Sequence, residues 1–272
     1  MIRRLLIAGT TIGALALAGA TALPAEAHVL PAKALPALPG THAALATTTQ
    51  SNNWSGYSEP LTQGGLYQSI SANWTVPTAT QHTAKQAESS ATWVGIGGGC
   101  VTSDCTAGDS TLVQAGTEQD VSAGGQPTYS AWWEIVPAPS ITFSNLPVHP
   151  GDQINVSLTQ TAPEVWDIVL KDVTDGQSGS ATQTIPYTSD YTTAEFIEET
   201  PLSVGTSGTG LTNLPNLGTV GFTQAMVNGS GAGLTTPDEM QLIDANGKVI
   251  ADPSAPYAGG TAFNDCTWAS SC

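Results

Sequence analysis

The chain has 272 residues, with 6 lysines and arginines against 22 aspartates and glutamates and a formal net charge of −16 at pH 7. Such a chain cannot form the clusters of cations that bind a phosphate backbone or an anionic membrane, so nucleic-acid and membrane partners are disfavoured. At about pH 3 to 4 many surface carboxyls are neutral, so the composition suits an acidic medium. It also suits simple solubility at neutral pH, and composition alone leaves both interpretations open.

The first 27 residues have the features of a secretory signal peptide. Arg3 and Arg4 precede an apolar run over residues 5–23, and Ala25-Glu26-Ala27 supplies the small residues of a cleavage site. The run is broken by Gly and Thr residues, and no other long apolar run follows in the sequence, which argues against a membrane anchor. We therefore expect a secreted, extracellular protein whose mature chain keeps four lysines and 21 acidic residues. The arginine pair fits either the general or the twin-arginine export route.

Residues 28–50 are predicted to be a pro-segment or linker. They are rich in Ala, Pro, Leu and Thr, and Pro31, Pro36 and Pro39 oppose both a helix and a central strand. Residues 51–272 are predicted to form one domain, because this length is ordinary for an all-β sandwich and no stretch within it resembles a linker.

Within the predicted domain, apolar and polar residues alternate with a period of two, which is typical of β-strands. Long helical periodicity is absent from the sequence, and Gly, Pro, Thr and Ser separate the short apolar stretches. The predicted strands are 66–76, 90–96, 111–116, 128–136, 153–159, 165–173, 193–199, 218–227 and 239–251, the last folded back at Asn246-Gly247. We predict an all-β fold of two packed antiparallel sheets, with a closed barrel as the alternative.

The stretch from Thr111 to Pro137 predicts one hairpin in which a carboxamide faces a carboxylate. Its turn, Ala123 to Pro127, contains two glycines and a proline. If the turn is centred on Gly124, the numbers of paired residues add up to 248. Gln114 then lies opposite Glu134 on one face, with Cβ atoms about 4.5 to 5.5 Å apart. This pair is either part of an active site or an ordinary surface pair on the solvent side of a sheet.

The four cysteines suggest two short disulfide loops in an oxidised, exported protein, Cys100 with Cys105 and Cys266 with Cys272. The sequence alone allows three connectivities. Neither pair has the two-residue spacing of a zinc knuckle, HExxH does not occur, and the four histidines, at 28, 42, 82 and 149, are scattered. We expect neither a metal nor a cofactor.

The motifs of several other enzyme classes are missing from the sequence. Neither GxSxG nor GxxxxGK[ST] occurs, and the glycine-rich stretch 95–99 is followed by Cys100 and not by a helix start, which disfavours nucleotide binding. A serine-histidine triad would have to use His82 or His149. Since His149 lies in a predicted turn, that mechanism is also disfavoured.

Five short motifs follow one another in order between about Asn52 and Trp268. They are Asn53-Trp54-Ser55-Gly56-Tyr57, Ala91-Thr92-Trp93-Val94-Gly95-Ile96-Gly97, Leu112-Val113-Gln114-Ala115-Gly116, Ala131-Trp132-Trp133-Glu134 and Ala194-Glu195-Phe196-Ile197-Glu198-Glu199. Together they resemble the motifs of the glutamic peptidases, the eqolisin family. The resemblance implies a concanavalin A-like, or lectin-like, β-sandwich and a pepstatin-insensitive endopeptidase with an acid optimum. It also implies polypeptide substrates, and we expect a monomer.

Carried over residue by residue, the resemblance places the catalytic glutamine of the family on Gln114 and its catalytic glutamate on Glu199. Glu134 then becomes a neighbour in the cleft, whereas the hairpin argument alone would pair Gln114 with Glu134. In the implied mechanism Glu199 is the general base and then the general acid for water, and Gln114 stabilises the oxyanion. Strand alternation allows Glu199 to share a face with Gln114 if their strands are neighbours.

Four further side chains are expected to support this site. Trp54 and Trp132 are predicted to wall the cleft and bind peptide, and Glu118 stands where the family has an aspartate. Trp93 is also a candidate, although ordinary core packing is the favoured interpretation for it. The chain departs from the family pattern at Glu198, where the family usually has an apolar residue.

Two other functions fit the sequence. A lectin-like glycosidase would also use paired carboxylates beside tryptophans, although Glu118-Gln119-Asp120-Val121 lacks the third acidic residue of an ExDxE strand. A catalytically silent sandwich that binds carbohydrate or peptide would keep the fold without the activity.

Overall fold

The structure is a computed structural model that describes residues 49–61, 65–101, 107–174, 179–205, 208–269 and 271–272. The predicted signal peptide, residues 28–48 of the predicted pro-segment and Cys105 lie outside the described residues. Among the helices of the described ranges, none is long and apolar enough to cross a membrane.

Most of the regular structure is β-strand, with a short 3₁₀ helix at Thr236–Asp238. The strands are β1 (Thr49–Ser51), β2 (Trp54–Pro60), β3 (Ser69–Thr75), β4 (Glu88–Gly97), β5 (Leu112–Val121), β6 (Pro127–Ile135), β7 (Ile141–Thr142), β8 (Gln153–Ala162), β9 (Val165–Asp172), β10 (Gly179–Pro186), β11 (Thr193–Glu199), β12 (Leu202–Gly205), β13 (Gly208–Leu211), β14 (Thr219–Val227), β15 (Ser230–Gly231), β16 (Glu239–Ile243), β17 (Val249–Pro253) and β18 (Phe263–Thr267). Each of the nine predicted strands coincides with an observed strand or, for 239–251, with the hairpin of β16 and β17.

The strands form two layers that are joined through β14. The hydrogen-bonded order is β10-β9-β8-β3-β14 in the first layer and β18-β17-β16-β2-β11-β4-β5-β6-β7 in the second. Residues 219–222 of β14 pair with β18, whereas residues 223–227 pair with β3, with a register shift inside this second pairing between Thr223 and Met226. Because the order starts at β10 and ends at β7 without closing, the fold is the predicted sandwich and not the alternative barrel.

The main hydrophobic core lies between the two layers. The strands of the first layer are buried on alternate residues, as in β3 and β8, so one of their faces is covered and the other is exposed. Large aromatic side chains fill the space between the layers, and Phe222 stacks on Phe263 with ring centroids 4.7 Å apart. Full burial of one such side chain stabilises the fold by about 1.5 to 3 kcal/mol.

The central strands of the second layer are buried on both faces. All residues of β11 are buried, as are nine of the ten in β4 and in β5. One face of these strands packs on the main core, and we call the opposite face the site face. Its burial requires a second set of side chains, and these side chains form the candidate active site.

The predicted hairpin has the predicted register. β5 pairs with β6 from Val113 opposite Ile135 to Val121 opposite Pro127, and every pair adds up to 248. Both Gln114 and Glu134 have no exposed surface, so they are not an ordinary surface pair.

The structure also differs from the sequence interpretation at the start of the domain. Thr49 and Gln50, which the sequence placed in the pro-segment, form β1 with Ser51 and pair in parallel with β16. Of the two predicted disulfides, Cys266–Cys272 is formed. Cys100 is also disulfide-bonded.

Candidate active site

The site face brings together all seven side chains that the sequence singled out for the active site. The strand registers arrange it in three rows that run across β2, β11, β4, β5 and β6. The rows are Ser58, Glu195, Gly95, Gln114 and Glu134; then Gly56, Ile197, Trp93, Gly116 and Trp132; then Trp54, Glu199, Ala91, Glu118 and Ser130. Gln114 and Glu199 therefore lie on the same face, in the two outer rows.

Gln114 is held by Glu134. Its Nε2 donates a hydrogen bond of 3.0 Å to Glu134 Oε2, as the opposed positions on β5 and β6 allow. A carboxylate accepts and does not donate, so its presence directs the NH₂ group of the amide toward Glu134 and the carbonyl oxygen away from it. Gln114 Oε1 has no hydrogen-bond partner among the described residues. The amide therefore keeps one acceptor and a second N–H for other groups.

Glu199 is held by Trp93. The indole Nε1–H of Trp93 donates a hydrogen bond of 2.8 Å to Glu199 Oε2, and both side chains are fully buried. A donor to a carboxylate favours the ionised form of that carboxylate. Burial among apolar rings opposes it, because burial removes water from the charge.

Two glycines lie close to Trp93, Gly95 on the same strand and Gly116 opposite Trp93 on β5. A Cβ on Gly95 would come within 2.9 Å of the Trp93 ring, and a Cβ on Gly116 would come within 2.6 Å of Trp93 Cβ and 2.1 Å of the Thr92 carbonyl oxygen. The same point above Gly95 is 3.1 Å from Gln114 Cβ. Trp93 thus extends from Glu199 toward Gln114, and the two positions beside it, Gly95 and Gly116, have no side chain that would block it.

A second hydrophobic cluster surrounds these polar groups. It contains Trp54, Ala91, Trp93, Leu112, Trp132, Val136, Ile197 and Met240, and it is separate from the main core. Trp54 and Trp93 pack edge to face with ring centroids 5.0 Å apart. The favoured prediction for Trp93 was ordinary sandwich core, but the structure places it on the site face. The indole N–H groups of Trp54 and Trp132 have no hydrogen-bond partner among the described residues.

Gln114 and Glu199 are not on neighbouring strands, because β4 lies between β5 and β11. Gln114 is in register with Gly95, and Glu199 is in register with Ala91, four residues away on β4. The sequence argument made a shared face depend on neighbouring strands, and the structure shows a shared face across an intervening strand. Trp93, midway between Ala91 and Gly95, occupies the space between the two side chains.

Two further carboxyls lie on the site face. Glu118 is in the row of Glu199, on the far side of Ala91, and accepts a hydrogen bond of 3.3 Å from Ser130 Oγ. Glu195 is in the row of Gln114 and accepts a hydrogen bond of 3.3 Å from Ser58 Oγ. Burial raises the pKa of Glu195 well above its usual range. Sequence analysis did not assign Glu195 to the site, although its distance of four residues from Glu199 puts it on the same strand face.

The histidines considered for a triad lie elsewhere. His82 stacks on Trp268 with ring centroids 3.4 Å apart, and the exposed His149 ring lies 3.3 Å from Asp152. Within the described residues, no group of three or more His, Cys, Asp or Glu side chains is arranged to hold a metal ion.

Comparison with known proteins points to one family. The profile of the Peptidase A4 family matches residues 52–261. Aspergillopepsin-2 of Aspergillus niger is 26% identical over 227 residues, which cover 75% of this chain and 74% of that protein. Scytalidopepsin B of Scytalidium lignicola is 27% identical over 213 residues, which cover 76% of this chain and 75% of that protein.

Solved structures agree with this comparison. Scytalido-glutamic peptidase with a transition state analog inhibitor superposes with a TM-score of 0.61 and 25% identity, covering 79% of this chain and 98% of that one. Aspergilloglutamic peptidase from Aspergillus niger superposes with a TM-score of 0.52 and 26% identity, covering 66% and 99%. Since the family profile spans most of the sequence and the fold agrees, the chain belongs to the Peptidase A4 family, the glutamic peptidases.

Proposed function

We propose that the protein is a secreted endopeptidase that hydrolyses peptide bonds in acid, with Glu199 and Gln114 as its catalytic residues. Membership of the Peptidase A4 family supports peptidase activity. The observation that carries the assignment of residues is the arrangement of the site face. On this face the buried carboxylate of Glu199 accepts a hydrogen bond from Trp93. The buried amide of Gln114 lies on the same face and keeps one acceptor and one donor for other groups.

In the first step, a water molecule on the site face attacks the carbonyl carbon of the scissile peptide. Glu199 accepts one proton of the water as the new C–O bond forms, and the carbonyl oxygen becomes an oxyanion. Gln114 positions the water through Oε1 and donates its free N–H to the oxyanion. General base help of this kind is typically worth about 10²- to 10⁴-fold, and one oxyanion donor about 10²- to 10³-fold.

In the second step, the tetrahedral intermediate collapses and the C–N bond breaks. Glu199, now a neutral acid, gives its proton to the leaving amine nitrogen. The products are a carboxylic acid and an amine, and Glu199 returns to its ionised form. No redox change or cofactor is needed for this sequence.

The site face also offers contacts for an extended substrate. Trp54 and Trp132 present apolar rings and N–H donors without partners among the described residues, and we expect these donors to bind substrate carbonyl groups. A related structure, of a member of the eqolisin family, contains the tripeptide Ala-Ile-His. This supports polypeptides as the substrate class, and we expect the enzyme to act on them as a monomer.

The positions on β5 and β6 favour a second assignment of the catalytic carboxylate. Glu134 bonds directly to Gln114, whereas Glu199 is separated from it by β4. We prefer Glu199 as the base because a carboxylate that already accepts the Gln114 amide is suited to orienting that amide. Separate Glu134→Gln and Glu199→Gln variants distinguish the two assignments.

The function is tested by incubating the secreted protein with denatured casein and with β-glucan at several pH values, with and without pepstatin. Proteolysis in acid that resists pepstatin supports the proposal. Release of sugar from the glucan would instead indicate a glycosidase, and no cleavage of either substrate would indicate a binding module.

A further inference from the structure

A second group of buried carboxyls lies on the other face of β11, between the two layers. Glu198 follows Ala194 and Phe196 in the alternation of the strand, and both of these belong to the main core. Its side chain has no exposed surface. Glu198 is in register with Ser55 on β2 and with Thr92 on β4, and Thr92 Oγ1 lies 2.6 Å from Glu198 Oε2.

Ser55 connects Glu198 to a second buried carboxyl, Asp265 on β18. The hydroxyl of Ser55 donates a hydrogen bond of 2.9 Å to Asp265 Oδ1, and Asp265 also has no exposed surface. Each carboxyl keeps one oxygen, Glu198 Oε1 and Asp265 Oδ2, without a hydrogen-bond partner among the described residues. Two carboxyls thus lie on either side of one serine inside the sandwich.

The described surroundings contain no cation to balance a charge on this pair. The lysines of the described ranges, Lys85, Lys171 and Lys248, are all exposed. The titratable groups that act on the pair are Tyr57 on β2, Glu199 on the other face of β11, Glu239 on β16 and Asp252 on β17. The remaining polar neighbours are neutral: Ser55 on β2, Trp74 on β3, Ser90 and Thr92 on β4, and Thr117 and Gln119 on β5.

A neutral Glu198 completes a chain of hydrogen bonds through these neighbours. A protonated Glu198 donates to Thr92 Oγ1, which can then donate to Gln119 Oε1 at 3.4 Å. Gln119 Nε2 donates to Thr117 Oγ1 at 2.7 Å, and Trp74 Nε1 donates to the same oxygen at 3.0 Å. An ionised Glu198 would accept a hydrogen bond from the Thr92 hydroxyl, so that this hydroxyl could no longer donate to Gln119. The buried negative charge would then keep one oxygen without a hydrogen-bond donor.

We propose that Glu198 and Asp265 are a positioning pair that must stay protonated to hold β11 in place, and that ionisation of this pair sets the upper pH limit of the enzyme. β11 carries Glu199 directly after Glu198 and pairs with β2 and β4 along its whole length. Charge repulsion between Glu198 and Asp265 on the core face of β11 would therefore displace the Glu199 carboxylate on the site face. The effect on catalysis rests on the proposed function, whereas the effect on the fold does not.

The titration of the pair agrees with its geometry. Burial raises the pKa of Glu198 to about 8 and that of Asp265 to about 7. Between the ordinary carboxyl pKa, about 4, and these values, the folded state binds more protons than the unfolded state. The contribution of the pair to stability is therefore fully present below about pH 4, falls as the pH rises, and stops falling above about pH 8, where the pair is ionised in both states.

The test follows folding and activity from pH 3 to 9 in three forms of the chain: the wild type, Glu198→Gln and the exposed control Glu164→Gln. Tryptophan fluorescence and circular dichroism report the fold, and kcat/KM reports activity. For Glu198→Gln we expect the pH midpoint of unfolding and the pH midpoint of the loss of kcat/KM, both on the neutral side, to rise by about 0.5 to 1 pH unit. The loss of activity on the acid side should be unchanged. Glu164→Gln should behave as the wild type. Unchanged midpoints in a Glu198→Gln protein that is folded at pH 4 would overturn the proposal.

Two additions keep the test decisive. If Glu198→Gln fails to fold, the infrared spectrum of the wild type at pH 6 is measured, and a protonated carboxyl band is expected there that Asp265→Asn reduces. Absence of that band would also overturn the proposal. The folding measurement is repeated in the Glu199→Gln background. If Glu198→Gln shifts the folding midpoint in the Glu199→Gln background while the wild type shows no proteolysis, the positioning pair is supported and the proposed function is rejected.

Discussion

Gln114 and Glu134 face each other across β5 and β6 and share a hydrogen bond of 3.0 Å. This bond fixes the amide, because the carboxylate can only accept. The proposed mechanism needs both the remaining N–H and the carbonyl oxygen of Gln114, so Glu134 acts on catalysis through Gln114. Glu134→Gln is expected to reduce kcat/KM by about tenfold, equivalent to about 1.4 kcal/mol, because a glutamine can still accept through its own oxygen. Steady-state kinetics at acid pH measure this, and complete loss of activity in this variant together with an active Glu199→Gln variant would make Glu134 the base.

Trp93 is expected to support Glu199 through its indole N–H. Trp93→Phe keeps an aromatic ring at this position but removes the donor to Glu199. The ionised carboxylate then loses stabilisation, so the acid limb of kcat/KM should move to higher pH, with a reduced maximum.

The matched control for this prediction is Trp166→Phe. Trp166 is also fully buried and donates its N–H to the carbonyl oxygen of Tyr187 at 3.1 Å, but it belongs to the main core. This change should lower thermal stability and leave the acid limb in place. Equal shifts of the acid limb in both variants would show that the Trp93 bond has no specific role.

Gly116 is expected to be required for the packing of Trp93. A Cβ at this position would lie 2.1 Å from the Thr92 carbonyl oxygen, which belongs to the backbone of a central strand and cannot move aside. Gly116→Ala should therefore cost at least about 1 to 3 kcal/mol of unfolding free energy and lower Tm by several degrees. Gly124→Ala in the hairpin turn is the control, since its nearest contact would be Ser122 Oγ at 3.7 Å. Similar Tm values for the two variants would contradict the packing argument.

The predicted leader is expected to be removed at low pH by the enzyme itself. Because Thr49 to Ser51 pair with β16 as β1, we expect cleavage before Thr49 and not inside this strand. N-terminal sequencing of the secreted protein after acid treatment measures the end. Fully active enzyme that still begins at His28 would refute this prediction.

Local sequence patterns predicted much of the structure. Alternation located β5, β6 and β11, and the turn at Gly124 was sufficient to predict that Gln114 faces Glu134, because a hairpin register depends only on nearby residues. β2 was not predicted as a strand, since Gly56 interrupts its short pattern, and yet it carries Trp54 beside Glu199.

The relationships between distant strands were not accessible from these patterns. The position of β4 between β5 and β11 depends on pairing between segments that are far apart in sequence, and a period of two carries no information about strand order. The bond from Trp93 to Glu199 follows from that order, since the residues are 106 positions apart. The sequence favoured ordinary core packing for Trp93. Because both faces of β4 are buried, the sequence pattern could not show on which face Trp93 lies.

The most direct test of the proposed catalytic pair compares Gln114→Ala and Glu199→Gln with the wild type. For each protein, kcat/KM on a peptide is measured from pH 2 to 8 beside circular dichroism. We predict that both variants remain folded in acid and lose activity, by about 10²-fold or more for Gln114→Ala and further for Glu199→Gln. We also predict that the wild type is most active at about pH 3 to 5, with a loss on the acid side as Glu199 is protonated. Turnover like that of the wild type in either variant, or a wild-type maximum near pH 7 without an acid limb, would contradict this mechanism.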